Sequence, residues 1–148
     1  MGRRLKIAMI SPGTFPISGG KSSSIEMLMK KLANLFQKEA YVFMFGKGFR
    51  KQPEWETKGS ITYYRYTSSK AKTYINQSID QLKVIKPDII HIENRPRFAK
   101  AVRLAIPNDK ISLYFGILVN GEFQFERNLD QIEWVISEQG RIGFKISA

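Results

Sequence analysis

An apolar strand that runs into a glycine-containing loop and then a long amphipathic helix is the feature that most narrows the folds open to this chain. Leu5-Lys6-Ile7-Ala8-Met9-Ile10 reads as a strand, and the loop after it closes on Ser18-Gly19-Gly20-Lys21. Ile25, Leu28, Leu32, Leu35 and Phe36 then fall at helical spacing. Ser23-Ser24-Ile25-Glu26 has the pattern of a capping box, so the helix is expected to start near Ser22–Ser24. Strand, loop and helix in this order open many α/β domains. They set unpaired backbone N–H groups at a helix N-terminus, where the helix dipole favours an anion.

The alternation of elements continues along the chain. Tyr41-Val42-Phe43-Met44-Phe45 is continuously apolar, as a strand covered on both faces should be. Gly46 to Gly59 reads as a basic loop, and Ile61-Thr62-Tyr63-Tyr64-Arg65-Tyr66 as a strand near an edge. Ile75, Ile79, Leu82 and Ile85 mark a helix that stops before Pro87. Asp88-Ile89-Ile90-His91-Ile92-Glu93 is a buried strand broken by Asn94-Arg95-Pro96, and a short helix from Pro96 leads to a strand near Lys110–Phe115. The signal weakens from Gly116 to Leu129. Ile132 to Ile136 then reads as a last strand, and Glu138 to Ala148 as the start of a helix. Strands separated by helices predict an α/β fold, a Rossmann-like doubly wound parallel sheet in one domain over residues 1–148. Ligands of such sheets bind beyond the carboxyl ends of the strands where strand order reverses. Here those places are the loop after the first strand and the loop after the His91 strand.

Composition removes several classes. A chain of 148 residues holds one ordinary domain, and 43% apolar residues suit a globular one. There is no run of about 18 apolar residues to span a bilayer, and the first apolar stretch is too short for a signal peptide. Lys6 stands where a myristoylation signal needs Ser or Thr. Without cysteine there is no disulfide and no thiolate chemistry. A cytoplasmic protein is the expectation, and the Asn76-Gln77-Ser78 sequon carries no meaning there. The net charge of +11 is uneven: residues 1–110 hold 21 Lys/Arg against 8 Asp/Glu, and residues 111–148 hold 3 against 5. A basic body suits an anionic partner, whether a phosphorylated substrate, an anionic polymer or an acidic lipid surface at which the protein sits peripherally; solubilising charge explains it equally well. No nucleic-acid-binding signature is present.

Two stretches carry candidate chemistry. Gly20-Lys21-Ser22 imitates the end of a phosphate-cradling P-loop, but that motif requires glycine where Phe15 stands, and Gly13, Gly19 and Gly20 do not space as a dinucleotide fingerprint. Gly19 and Gly20 either give a tight turn or let the backbone approach a phosphate or sugar that a Cβ would block; their place at the first strand–helix junction favours the second role. His91 is the only histidine, and a lone histidine on an apolar strand is more often a satisfied core residue than a catalyst. By alternation His91 and Glu93 share one face of their strand while Ile90 and Ile92 share the other. Asn94 and Arg95 extend this polar cluster into the loop, where ligand contact would leave His91 and Glu93 partly solvent-accessible. No second histidine or cysteine completes a metal site, and no cofactor is expected.

Together these residues carry a resemblance. Lys6 to Ile10, then Pro16 and Gly19-Gly20, then Pro87 to Glu93 are similar to the N-terminal domain of family 4 GT-B glycosyltransferases. Glu93-Asn94-Arg95-Pro96 resembles the spore-coat polysaccharide branch, and Leu129 to Ser137 resembles the late strand before the interdomain region of those enzymes. The resemblance implies a retaining transfer of sugar from a nucleotide-sugar donor to a glycan acceptor across a cleft between two domains. Gly19, Gly20 and Lys21 then belong to the donor-phosphate loop, and His91, Glu93, Asn94 and Arg95 to the acceptor side. Tyr114-Phe115-Gly116 departs from the pattern where many members carry a histidine. The carboxylate-bearing C-terminal domain of the family has no counterpart in these residues, so the chain alone is expected to be inactive. The rival expectation is a non-catalytic module that docks its basic face on an anionic polymer or protein partner.

Overall fold

The computed structural model describes residues 3–14, 16, 24–48, 51–68, 70–93, 95–106, 110–114, 117–119, 122–124, 132–136 and 142–146; from residue 110 onward only backbone pairing is described. The first strand, β1 (Leu5–Ile10), leads to α1 (Ser24–Phe36) and β2 (Ala40–Lys47). After β3 (Trp55–Lys58) and β4 (Ile61–Tyr66) come α2 (Ala71–Ile85), β5 (Ile89–Glu93), α3 (Pro96–Ala105) and β6 (Lys110–Tyr114). The chain then forms β7 (Ile117–Val119), β8 (Glu122–Gln124), β9 (Ile132–Ile136) and β10 (Ile142–Ile146).

These elements make an α/β fold on a mixed, mostly parallel sheet with strand order β3-β4-β2-β1-β5-β6-β10-β9. The five strands β4, β2, β1, β5 and β6 are mutually parallel. From β1 the chain steps outward through β2 to β4, then returns to the other side of β1 as β5. Strand order therefore reverses at the β1–β5 pair.

Alternation along the central strands sends apolar side chains to both faces. On one face Met9, Val42, Met44, Ile61 and Tyr63 pack with Met29 and Ala33 of α1. On the other, Ala8, Ile10, Phe45, Ile90 and Ile92 pack with Tyr74, Ile75, Ile79 and Leu82 of α2 and with Phe98, Ala99 and Val102 of α3. Each fully buried aliphatic side chain contributes on the order of 1.5–3 kcal/mol by leaving water, so the sheet is held from both sides. Two positions of the expected α1 stripe, Leu35 and Phe36, are exposed; Met29 and Ala33 carry the buried face instead. At its end α2 stops where predicted. Lys86 takes the left-handed conformation (φ 53°), its N–H donates to the Leu82 carbonyl, and Pro87 follows.

Three expectations are corrected. The Gly46–Gly59 stretch is not all loop: β3 pairs antiparallel with β4 across a Gly59-Ser60 turn, with Gly59 at φ +63°. A 2.6 Å ion pair between the buried Arg65 guanidinium and Glu56 ties this short strand down. Residues 142–146 form a strand rather than a helix, because Ile142, Phe144 and Ile146 alternate with period two. The sheet is consequently not purely parallel, since β10 runs antiparallel to both β6 and β9. The weak stretch after Gly116 contains a separate two-stranded hairpin, β7–β8. Among the described residues no helix is long and apolar enough to cross a membrane.

Candidate functional site

The carboxyl edge of the sheet is organised by one buried tyrosine. Ser11, the first residue past β1, is fully buried, and its N–H donates to the Phe45 carbonyl at 3.0 Å. Tyr74, on the first turn of α2, brings its hydroxyl to 3.0 Å from the carbonyl oxygens of both Ser11 and Phe45. The Ser11 hydroxyl accepts the Gly13 N–H at 3.2 Å and lies 3.2 Å from the Tyr74 oxygen. A consistent donor chain therefore runs from Gly13 N–H to Ser11 Oγ, from Ser11 O–H to Tyr74, and from Tyr74 to a carbonyl. Burial pushes the Tyr74 hydroxyl far above its ordinary pKa, so it remains a proton donor at any physiological pH. Burial likewise pushes the neighbouring Tyr66 up to about 12.

The chain turns sharply above this anchor. Gly13 adopts φ +76°, which favours glycine, and a Cβ there would crowd the Tyr74 ring at 3.1 Å. The turn opens a pocket of about 220 Å³, floored by Tyr74 and walled by Pro12, Gly13 and Thr14. Its rim carries Lys47 from the end of β2, Ser68 and Lys70 from the β4–α2 loop, and Arg95 from the loop after β5. Arg95 Nη2 donates to Thr14 Oγ1 at 3.2 Å and so bridges the loops after β1 and β5. The Lys70 N–H donates to Ser68 Oγ, and among the described residues no side chain caps the N-terminus of α2. Among the described residues no carboxylate lies in ion-pair range of Lys47, Lys70 or Arg95.

The other predicted residues lie elsewhere. His91 and Glu93 share a face of β5, as alternation requires, and His91 is in register with Met9 on the α1 side of the sheet. His91 Nε2 lies 2.6 Å from Glu93 Oε1. The Glu93 side chain is 2% exposed and that of His91 19%, which corrects the expectation that both are accessible. A buried carboxylate needs a partner, and Glu93 finds it in the imidazole two residues earlier. Arg95 belongs to the pocket on the α2 side, so the predicted cluster is divided between the two faces of the sheet. Gly19, Gly20, Lys21 and Asn94 lie outside the described residues.

Sequence reasoning missed Thr14, Lys47, Lys70 and Tyr74. No local motif joins them; they meet because β1, β2, β4 and β5 end at one edge. The available signal was Tyr74 itself, an aromatic next to Ile75 on the apolar face of α2 with a hydroxyl that burial obliges to find a partner. Among the described residues no cluster of three or more His, Asp or Glu side chains could hold a metal ion. The described lining offers cations, hydroxyls and backbone N–H groups, groups that suit an anion. The sequence matches no protein-family model and none of the curated proteins.

Proposed function

We propose that this chain is the acceptor-side domain of a retaining, GT-B-type glycosyltransferase that uses a nucleotide sugar in cell-surface or spore-coat polysaccharide synthesis. In this reading the sheet is a Rossmann-like doubly wound unit. His91, Glu93, Asn94 and Arg95 serve the acceptor side, and Gly19, Gly20 and Lys21 the donor diphosphate. The observation that supports it is the reversal of strand order at β1–β5, with the two loops beyond those strands joined by the Arg95–Thr14 hydrogen bond. That crevice is where open α/β sheets take their ligands. Glu93, being buried, would hold the His91 ring in place while the imidazole edge meets the acceptor.

Catalysis in such an enzyme depends on positioning reactants and stabilising a leaving diphosphate from two sides of a closed cleft, and one wall alone does neither well. The test is to titrate the purified chain with a panel of glycan acceptors and nucleotide sugars, following backbone amides by NMR and assaying sugar transfer. Glycans should shift the amides of Gly13, Thr14, His91 and Glu93, and these 148 residues, which supply one wall, should transfer no sugar by themselves. Transfer well above buffer background by this chain alone would overturn the reading, as would the absence of any shift with every glycan and nucleotide sugar.

A further inference from the structure

We infer that the pocket between the loops after β1 and β5 and the start of α2 is a binding site for a phosphate monoester on a small polar ligand. Lys47, Lys70 and Arg95 come from three separate stretches of chain yet line one cavity. None of them is paired with a described carboxylate, so among the described residues three uncompensated charges meet at one place. Like charges gathered in a concave site raise each other's energy and raise the local concentration of anions. A phosphate monoester carries about −1.5 to −2 at pH 7, which offsets most of three positive charges; a carboxylate, at −1, would leave two uncompensated.

The remaining groups suit the same ligand. Arg95 presents a planar fork of donors, already oriented by Thr14 Oγ1, and the two lysines act as point charges. Ser68 and Thr14 add hydroxyls, and the uncapped start of α2 adds N–H groups whose dipole also favours an anion. The cavity of about 220 Å³ is smaller than the roughly 300 Å³ at which sites for drug-sized molecules begin, so it admits a phosphate with a monosaccharide-sized body rather than a whole dinucleotide. Tyr74 gives the floor its rigidity, because its hydroxyl is committed to Ser11 and Phe45.

This inference does not rest on sugar transfer. Its test uses calorimetry and amide shifts on the 148-residue chain with three probes: glucose 6-phosphate, inorganic phosphate and glucose. The two phosphates should bind, shift the amides of Gly13, Thr14 and the first turn of α2, and weaken as salt rises from low to physiological strength and beyond. Glucose should do neither. If glucose 6-phosphate outbinds inorganic phosphate, the ligand is a sugar phosphate; equal affinity assigns the site to the phosphate group alone, and both outcomes support it. Lys47→Gln, Lys70→Gln and Arg95→Gln should each lower affinity roughly three- to tenfold, the range of a partly solvated charge-assisted hydrogen bond. Lys83→Gln removes the same charge at the far end of α2, roughly 18 Å away along the helix, and should change nothing. Equal losses from Lys83→Gln and the pocket variants, or phosphate affinity unchanged in a folded Lys47→Gln/Arg95→Gln double variant, would overturn the site. Either result would leave glycan binding, measured separately, free to stand or fall by itself.

Discussion

Tyr74 reaches across 63 residues of sequence to place its hydroxyl 3.0 Å from the carbonyl oxygen of Ser11. One side chain thus fixes the start of α2 to the end of β1 and, through Phe45, to the end of β2. Its ring also packs edge-on to Tyr66 and at a tilt to Phe98, so three elements share one buried aromatic. A buried hydroxyl must be paired, and Tyr74 pairs its own with the ends of β1 and β2.

Tyr74→Phe should therefore fold but lose about 1–2 kcal/mol in denaturant unfolding. The ring packing survives, the Phe45 carbonyl keeps the Ser11 N–H and the Ser11 hydroxyl keeps the Gly13 N–H, while the Ser11 carbonyl loses its donor and the Ser11 hydroxyl its contact with Tyr74. A phenylalanine variant as stable as the parent would show that the hydroxyl network contributes nothing net.

Gly13→Ala tests the turn above that anchor. A non-glycine residue at φ +76° costs about 1–2 kcal/mol, and the new Cβ would also press on the Tyr74 ring at 3.1 Å. A drop of at least that size is expected in the same assay, together with weaker phosphate binding. Gly13→Ala at parental stability would contradict the left-handed backbone conformation of this residue.

The outline of the fold was legible because β1, β2 and β5 are short, mainly apolar runs and α2 stops before a proline; local signals sufficed for local elements. β10 was misread because Glu138 to Ala148 begins with polar residues, and the period-two pattern spans only Ile142 to Ile146. β3 was hidden because its four residues are mostly exposed and owe their place to Arg65. The site was half legible. Strand alternation put His91 beside Glu93, as the structure has them, and the loop after β5 drew attention to Arg95, which lines the pocket. The convergence of Lys47, Lys70 and Arg95 was not, since it is set by which strands end together rather than by any spacing along the chain. Burial of Glu93 was also not readable, because depth at the sheet edge depends on what covers it.

Glu93→Ala should be more than a local change. The carboxylate is 2% exposed and holds His91 at 2.6 Å, so truncation leaves a half-buried imidazole without its partner and a small void beneath it. A loss of about 1–3 kcal/mol is expected, whereas Glu93→Gln keeps an acceptor of the same shape and should lose less. If Glu93→Ala unfolds at the same denaturant concentration as the parent while altering glycan binding, Glu93 acts on the ligand rather than on His91.

Acid should weaken the junction between the N-terminal segment and β5 through Asp88. The Arg3 guanidinium hydrogen-bonds the Asp88 carboxylate, the Lys6 N–H donates to it at 2.8 Å, and together they hold its pKa down to about 2 from 3.8. A carboxylate whose pKa is lower in the folded state binds protons more readily when unfolded, so folding stability rises with pH across the interval between the two values. The contribution is complete above the unfolded value and is lost as pH falls from about 4 towards 2. Arg3 is largely exposed, so salt will shrink the effect without changing its direction. Comparing urea midpoints of the parent and Asp88→Asn at several pH values separates this group from the other carboxylates. The parent should be the more stable by a constant margin at pH 5–7, and the margin should close as pH drops below about 4. A margin that stays flat down to pH 2 would mean that Asp88 stabilises the fold through the shape of its hydrogen bonds and not through its charge.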